Sequence, residues 1–280
     1  MTKLLKKKQI EIHSARPVSQ MTFFVAFMIH LGFLGALPVT AALAKRAPIK
    51  AHPVKAHPIQ AHNDTLNDAW YTMQAGAAPW GYFHEVIIKK DGKYFYRYEM
   101  TKRENEKIYS ENIGAVAEED LTPVAFNLNK SGEGLMQSFS GTYEKTGASG
   151  IFTMTYKGAS EKSFQRHVEK STILEVFFPV WVHQHWAQLK SGYRGSLTIL
   201  AEDPEVNEYR PKTIRMQFVK ERPGLCKDLR VEMDNRPTSW CLTSSGSTVD
   251  MVVGQNEVQV KRLPDGAGAE QKAKAFMGQR

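Results

Sequence analysis

The residues of this sequence that are best suited to chemistry are a few histidines, two cysteines and scattered carboxylates. His183 and His185 form an H-x-H pair, which suits a metal when both imidazoles leave a strand on the same side. We expect a helix here instead, on which the two side chains point apart, and no third ligand follows nearby. His84 and His167 are isolated, which is typical of structural histidines. The sequence therefore predicts no metal site and no cofactor.

Linear catalytic motifs do not occur in the chain. It has no G-x-S-x-G elbow, no H-E-x-x-H, no Walker loop and no dinucleotide-binding glycine pattern. The acidic run Glu118-Glu119-Asp120 is typical of a solvated turn at a strand end. Carboxylates that meet only in space leave no linear motif, so a hydrolase stays open as an alternative. We favour a non-enzymatic protein and assign no catalytic residue.

The two cysteines, Cys226 and Cys241, are predicted to form a disulfide. Between them lies the turn signal Asp234-Asn235-Arg236-Pro237, and a hairpin over this segment brings the two sulfurs together. Two free buried thiols are the alternative. A disulfide indicates an oxidising compartment, because the reducing cytosol keeps cysteines as free thiols.

The first 44 residues have the order of a secretory signal. Four lysines in the first eight residues precede an uncharged run from Met21 to Leu43, and Ala42-Leu43-Ala44 supplies a small-x-small cleavage site. The sequence predicts cleavage near Ala44 and a periplasmic or secreted protein. An uncleaved membrane anchor is the alternative, since about 20 apolar residues can span a bilayer. Membrane contact is expected only through this segment.

Residues 45–66 are predicted to be a linker. Proline recurs every five residues here, which favours an extended chain and opposes a helix. His52, His57 and His62 share this period, but their spacing matches no tetrahedral metal site. A semi-rigid spacer is the better interpretation.

The net charge of +8 is less informative than it looks. Five basic residues and one acidic residue precede Lys45, which leaves 32 basic against 28 acidic residues in the remainder. No basic stripe interleaved with aromatic residues occurs, so no nucleic-acid partner is expected.

The remainder of the chain predicts one domain at 67–263 that is mainly β, with a polar, frayed tail at 264–280. Short runs of aromatic and β-branched residues alternate with turn signals such as Asp91-Gly92. Strands are expected at 82–88, 94–100, 107–116, 122–128, 135–143, 151–156, 163–170, 195–200, 213–219, 229–233, 240–243 and 256–261. One helix is expected from Val182 to Lys190, ending at Gly192. This α+β pattern predicts a strongly curved antiparallel sheet or half-barrel with one or two helices packed on it.

Aromatic and methionine side chains recur on alternate strand positions, and most of them are expected in a core. A curved sheet with a helix across its mouth would also leave an apolar cavity, which an acyl chain or a hydrophobic peptide requires. The residues predicted to line such a ligand cavity are Tyr94, Tyr96, Tyr98, Met154, Tyr156, Trp186, Met216 and Phe218.

Three segments carry a family resemblance. Ala78-Pro79-Trp80-Gly81-Tyr82-Phe83-His84-Glu85-Val86, the following strand, and Leu121-Thr122-Pro123-Val124-Ala125-Phe126 resemble a progression found in uncharacterised secreted β proteins. The Phe178-Pro179 turn, His185-Trp186-Ala187-Gln188-Leu189 and Gly192 resemble their helix-bearing part. Such proteins are similar to the half-barrels of the periplasmic lipoprotein-carrier superfamily (LolA- and LolB-like). The resemblance implies an envelope protein that binds a lipid, a lipoprotein or another hydrophobic partner in a concave sheet. A structural envelope protein is the alternative.

Overall fold

The computed structural model describes residues 65–278 apart from 105, 148, 204, 205, 207 and 255–257. The predicted signal sequence and nearly all of the predicted linker lie outside the described residues. The first half of the fold consists of β1 (Thr65–Ala75), β2 (Ala78–Lys90), β3 (Lys93–Glu104), β4 (Lys107–Glu118), β5 (Pro123–Gly132), β6 (Leu135–Thr146), β7 (Ser149–Lys157) and β8 (Glu161–Glu169). The second half consists of β9 (Ile173–Leu174), a 3₁₀ turn (Glu175–Phe177), α1 (Phe178–Gln184), β10 (Arg194–Asp203), β11 (Glu208–Arg222), β12 (Cys226–Met233), β13 (Arg236–Leu242), β14 (Thr248–Val253), β15 (Val258–Arg262) and α2 (Ala269–Phe276).

All fifteen described strands belong to one open sheet. Its order is β8-β7-β6-β5-β4-β3-β2-β1-β15-β14-β13-β12-β11-β10-β9. Two meanders, β1 to β8 and β10 to β15, are joined where β15 pairs with β1, and β9 pairs with β10 in parallel. The predicted fold class, a curved antiparallel sheet with few helices, is confirmed.

The hairpins follow from the turn residues. Asp91 and Gly92 connect β2 to β3 with φ of 51° and 72°, and Asp234 and Asn235 connect β12 to β13 with φ of 51° and 61°. Two consecutive residues with positive φ match the right-handed twist of the strands they join. Asp and Asn tolerate this backbone region better than other side chains do. Both predicted turns are therefore confirmed.

The sheet curls until its two ends face each other across the interior. Phe126 on β5 and Phe139 on β6 contact Tyr209 on β11, with ring centroids 4.6 and 5.8 Å apart. Closer to the edge of the sheet, Arg166 on β8 forms an ion pair with Glu208 on β11. The buried apolar side chains form one continuous cluster inside this rolled sheet.

The segment between the two meanders runs through the interior of the roll. This inner segment, Ile173–Gln184, comprises β9, the 3₁₀ turn and α1. The helix predicted at Val182–Lys190 is wrong in position: α1 starts four residues earlier at Phe178, and turns follow it up to Gln188. Pro179 lies in the first turn of α1, where its missing N–H has no helical partner to lose. The predicted left-handed Gly192 is confirmed, with φ of 85°.

A second helix occupies part of the region predicted to be a frayed tail. Helix α2 packs against β1 and β2 and buries Ala269 and Ala273, with Met277 just beyond its end. The tail prediction missed this helix because only small alanines mark its packed face. Strands β1 and β14 were also not predicted, and β1 begins at Thr65, inside the expected linker. Among the described residues, no helix has the length and apolar character needed to cross a membrane.

Candidate functional site

Most of the predicted ligand-cavity residues lie in the packed interior. Tyr94, Tyr96 and Tyr98 share the inner face of β3 and are at most 5% exposed. Met154, Tyr156 and Met216 are buried as well, whereas Trp186 and Phe218 are half-buried and pack against the edge of the cluster. The structure thus brings the predicted set into one apolar interior.

The inner segment takes up the space that these residues enclose. Phe177 is fully buried and meets Tyr96 edge-on with ring centroids 6.1 Å apart. Phe178 meets Trp240 on β13 in the same manner at 5.5 Å. A cavity of about 20 Å³ remains beside Tyr96 and Glu175, which is room for about one water molecule. In this arrangement, the interior around Tyr96 is a filled core.

A carboxylate lies inside this apolar region. Glu85 on β2 is 5% exposed, accepts a hydrogen bond from Tyr96 Oη at 3.1 Å, and accepts another from Asn67 Nδ2 at 2.6 Å. Asn67 Nδ2 also donates to Tyr71 Oη at 3.2 Å. Burial raises the pKa of Glu85 to about 7, against the opposing effect of these hydrogen bonds. The group therefore exchanges its proton near neutral pH.

A second buried polar group, the ionic cluster, consists of Lys102, Glu111, Lys130, Glu175 and Glu202. Glu111 on β4 lies directly opposite Lys130 on β5. On β3, Met100 is the strand partner of Glu111, and Lys102 is the next residue after Met100 on the same inner face. Lys130 Nζ donates to both carboxylate oxygens of Glu202 at 2.8 and 2.7 Å. Since Glu202 is on β10, this ion pair bridges the two ends of the curled sheet.

The pKa values in the ionic cluster follow from burial. Burial raises the pKa of Glu111 to about 8, although Lys130 and Lys102 oppose the rise. Burial also raises the pKa of Glu175 well above its ordinary value, and Glu202 adds to the effect. Burial acts to lower the pKa of Lys130, but Glu202 and Glu111 outweigh it and raise the value. The cluster thus favours one bidentate ion pair surrounded by protonated acids.

The ionic cluster is enclosed. Glu111, Glu175 and Glu202 are each at most 5% exposed, and the cavity beside Lys102, Glu111 and Lys130 measures about 10 Å³. A hydrolase with assembled carboxylates requires a polar cleft that admits a substrate and water. In this structure the described carboxylates of the cluster surround a lysine and do not face such a cleft.

His183, His185 and the two cysteines have structural partners. His183 Nδ1 donates to Ser244 O at 2.7 Å, and His185 Nδ1 donates to Trp181 O at 2.8 Å, so the H-x-H pair is not assembled around a common point. Cys226 and Cys241 form the predicted disulfide, with Cα atoms 5.4 Å apart. Their sulfurs lie near the carboxylate of Asp228, but paired cysteines are not available as thiolate ligands.

No motif marks the ionic cluster in the sequence, but its strands carry a signal. Lys130 continues the buried phase of Phe126 and Leu128 at two-residue spacing, and Lys102 continues the phase of the β3 tyrosines. A charged residue in the phase of a buried strand face indicates an internal ion pair. Its partner Glu202 lies 72 residues away from Lys130 in the sequence, so the pairing itself requires the fold.

Comparisons with known proteins assign no family. No family model matches the chain, and no curated protein matches it in sequence. A solved structure of a DUF1089 family protein from Pseudomonas aeruginosa is similar at a TM-score of 0.39 with 9% identity. The match covers 60% of this chain and 88% of that one. A likeness at this level assigns no function, and the resemblance to lipoprotein carriers stays a prediction.

Proposed function

We propose that this chain is an exported, non-enzymatic cell-envelope protein that binds a lipid, a lipoprotein acyl chain or another hydrophobic ligand inside the rolled sheet. Because the inner segment fills that interior, binding requires the segment to move out. The observation that supports the proposal is the nature of this segment. From Ile173 to Val180 it is buried and, apart from Glu175, apolar, yet it is attached to the sheet by a ladder of only two residue pairs, Ile173 with Ile199 and Leu174 with Leu200.

Release of the inner segment would leave the rest of the sheet intact. The antiparallel ladders from β1 to β8 and from β10 to β15 do not involve its residues. Its contacts with the interior are side-chain contacts such as Phe177 with Tyr96, and an acyl chain can replace contacts of this kind. Burial of the ligand's apolar surface then compensates for the hydrophobic free energy that is lost when the apolar side chains of the segment leave the interior.

Hydrogen bonds of the end of the inner segment, and of the turn that follows it, hold it at the rim. Gln184 Nε2 donates to Glu119 O at 2.8 Å, and Lys227 Nζ donates to Trp186 O at 2.9 Å. His183 Nδ1 donates to Ser244 O, as described above. A typical hydrogen bond contributes about 1 kcal/mol, so removing two of them should shift the closed and open populations about 30-fold.

Glu175 weakens the closed arrangement from within. Its Oε1 has no hydrogen-bond partner within the described part of the chain, and the residue is 2% exposed. Leaving such a buried group unpaired costs about 1–3 kcal/mol. This cost is removed when the segment reaches solvent.

The proposal is tested by titrating the mature protein with a dansyl-labelled fatty acid, with native mass spectrometry as a second readout. The Gln184→Ala/Lys227→Met variant should bind the probe at least about tenfold more tightly than the unmodified chain, since a larger fraction is open. Lys220→Met, which removes an exposed lysine on β11, is the matched control and should leave affinity unchanged. Absence of probe binding in both the unmodified chain and the loosened variant would refute the proposal.

Export is the other part of the proposal. It is supported by the disulfide, which persists in oxidising compartments, and by the predicted signal sequence. Intact mass measurement of the protein from a periplasmic fraction should give a chain that starts at Lys45. A full-length chain in the cytosolic fraction would contradict export.

A second candidate is a structural envelope protein that acts through its outer surface. The outward side chains of Asn127 and Ser140, on β5 and β6, favour it because they are exposed and uncharged. Such a protein would need the predicted spacer to reach past a neighbouring layer of the envelope. Deleting residues 45–61 of this spacer should then abolish function while the circular dichroism spectrum stays unchanged.

A further inference from the structure

The outer surface of β4 to β8 carries an uncharged hydrogen-bonding face that the proposed interior site does not explain. Its central row crosses the strands through Asn127, Ser140, Thr155 and Ser163, which are successive partners in the strand pairing. Asn127, Ser140 and Ser163 are exposed, and Thr155 is half-buried. We name this row, together with the neighbouring Thr142, Thr153, Gln165, Asn129 and Ser138, the neutral face.

The rows beside the central one have the same character. Thr142, Thr153 and Gln165 are successive partners on β6, β7 and β8, and Asn129 pairs with Ser138 on the other side. The central row and the Thr142 row together have ten outward positions on β4 to β8, and none of them is charged. Charged residues begin only at the border, for example at Lys157.

The other half of the molecule shows that this composition is not a general property of its outer surface. On β11 and β12, Arg215 pairs with Glu232 across the strands, and Arg222 forms ion pairs with Asp228 and Asp250. Soluble proteins typically carry charges on a quarter or more of their surface positions. The neutral face is therefore a local departure within one sheet.

We propose that the neutral face binds a neutral polysaccharide chain. Each amide both donates and accepts hydrogen bonds, as does each hydroxyl, and sugar hydroxyls offer the same two functions. Strands lie about 4.8 Å apart, so an extended polymer crossing them meets a hydrogen-bonding side chain at every strand over roughly 14 Å from Asn127 to Ser163. Ser, Thr and Asn side chains also lose less rotamer entropy on binding than Lys or Glu side chains do.

The composition of the face fits other macromolecules poorly. Protein interfaces are enriched in aromatic residues, methionine and arginine at their centre, and the rows named here have none of these. Nucleic acids and anionic membranes require clustered basic side chains, which these rows also lack. A partner without charge loses nothing by meeting a face without charge. This inference does not depend on a ligand inside the sheet.

The test is native affinity electrophoresis of the mature protein in gels that contain hydroxyethyl cellulose, galactomannan or, as an acidic comparison, alginate. At least one neutral polysaccharide should retard the protein, and 0.5 M salt should not reverse the effect because no ionic contact is involved. Ser140→Lys places a charge at the centre of the neutral face and should weaken binding about tenfold. Thr213→Lys adds the same charge to an exposed position on β11 and should not weaken it.

Two results would overturn the proposal. The first is retardation by neither neutral polysaccharide, whether or not alginate retards the protein, and the second is equal retardation of the unmodified chain and Ser140→Lys. Sedimentation of the same samples identifies the rival occupant: a dimer that Ser140→Lys dissociates, without polysaccharide binding, would make the face a contact between two copies of the chain. Fatty-acid titration of Ser140→Lys should match the unmodified protein, so failure of either proposal is visible separately.

Discussion

The interior of the rolled sheet contains two regions that are buried to the same extent but are stabilised differently. Around Phe177 the inner segment packs against tyrosines, and the stabilisation is apolar contact. Around Lys130 the side chains are equally buried, but they form a bidentate ion pair between Lys130 and Glu202. Two further buried acids, Glu111 and Glu175, belong to the same cluster.

The difference shows where the interior depends on proton equilibria. Removing the side chain of Phe177 itself, which makes only apolar contacts, leaves a void whose cost does not depend on pH. Removing one near Lys130 leaves a charge without its partner, and that cost depends on whether the remaining acid is protonated. The two regions can therefore be distinguished by how the loss of stability varies with pH.

The largest effect is expected for Lys130→Met. It leaves Glu202 buried and uncompensated, and breaking a buried pair in this way costs about 3–5 kcal/mol. Urea unfolding at pH 7 should show this loss, and the loss should be smaller at acidic pH, where Glu111 keeps its proton, because Lys130 favours the ionised form of Glu111. In the double variant Lys130→Met/Glu202→Met neither charge of this pair remains, and most of the stability should return. A loss below about 1 kcal/mol in the single variant would contradict a buried pair.

The sequence predicted the apolar region better than the ionic one, for a physical reason. Alternation along β3 places Tyr94, Tyr96 and Tyr98 on one face, and a strand of half-buried residues must show this pattern. Hairpin turns such as Asp91-Gly92 are local as well, because two adjacent residues determine the turn type.

The ionic cluster and the inner segment depend on contacts distant in sequence. That Lys130 meets Glu202 follows from how far the sheet curls, and no local pattern encodes that curvature. Similarly, the sequence Phe177-Phe178-Pro179-Val180 is recognisably apolar. It does not indicate that this segment lies inside the rolled sheet. Its all-round burial leaves no polar face and therefore no helical period to detect.

Phe177→Ala should have the next largest effect. The side chain is fully buried, so its truncation should cost about 3–4 kcal/mol through lost transfer free energy and the cavity it leaves. Urea unfolding at pH 5 and pH 8 should give equal losses, in contrast to Lys130→Met. Phe95→Ala, on the outer face of β3 and 39% exposed, is the matched control and should cost under about 1 kcal/mol. If the loss varied with pH, the contribution of Phe177 to stability would depend on the protonation of the buried acids.

The smallest effect, and the sharpest comparison of the two regions, is expected for Glu111→Gln. In the folded protein the pKa of Glu111 is raised to about 8, so between its ordinary value of 4.5 and pH 8 the folded state retains a proton that the unfolded chain has released. The free energy of unfolding therefore falls as pH rises through this window, by up to about 1.4 kcal/mol per pH unit. The glutamine cannot titrate, so its variant should lose about 1 kcal/mol less per unit between pH 5.5 and 7.5. Exposed Glu221→Gln should retain the slope of the unmodified protein. If both variants had the same slope, the proton that Glu111 retains on folding would not contribute to stability.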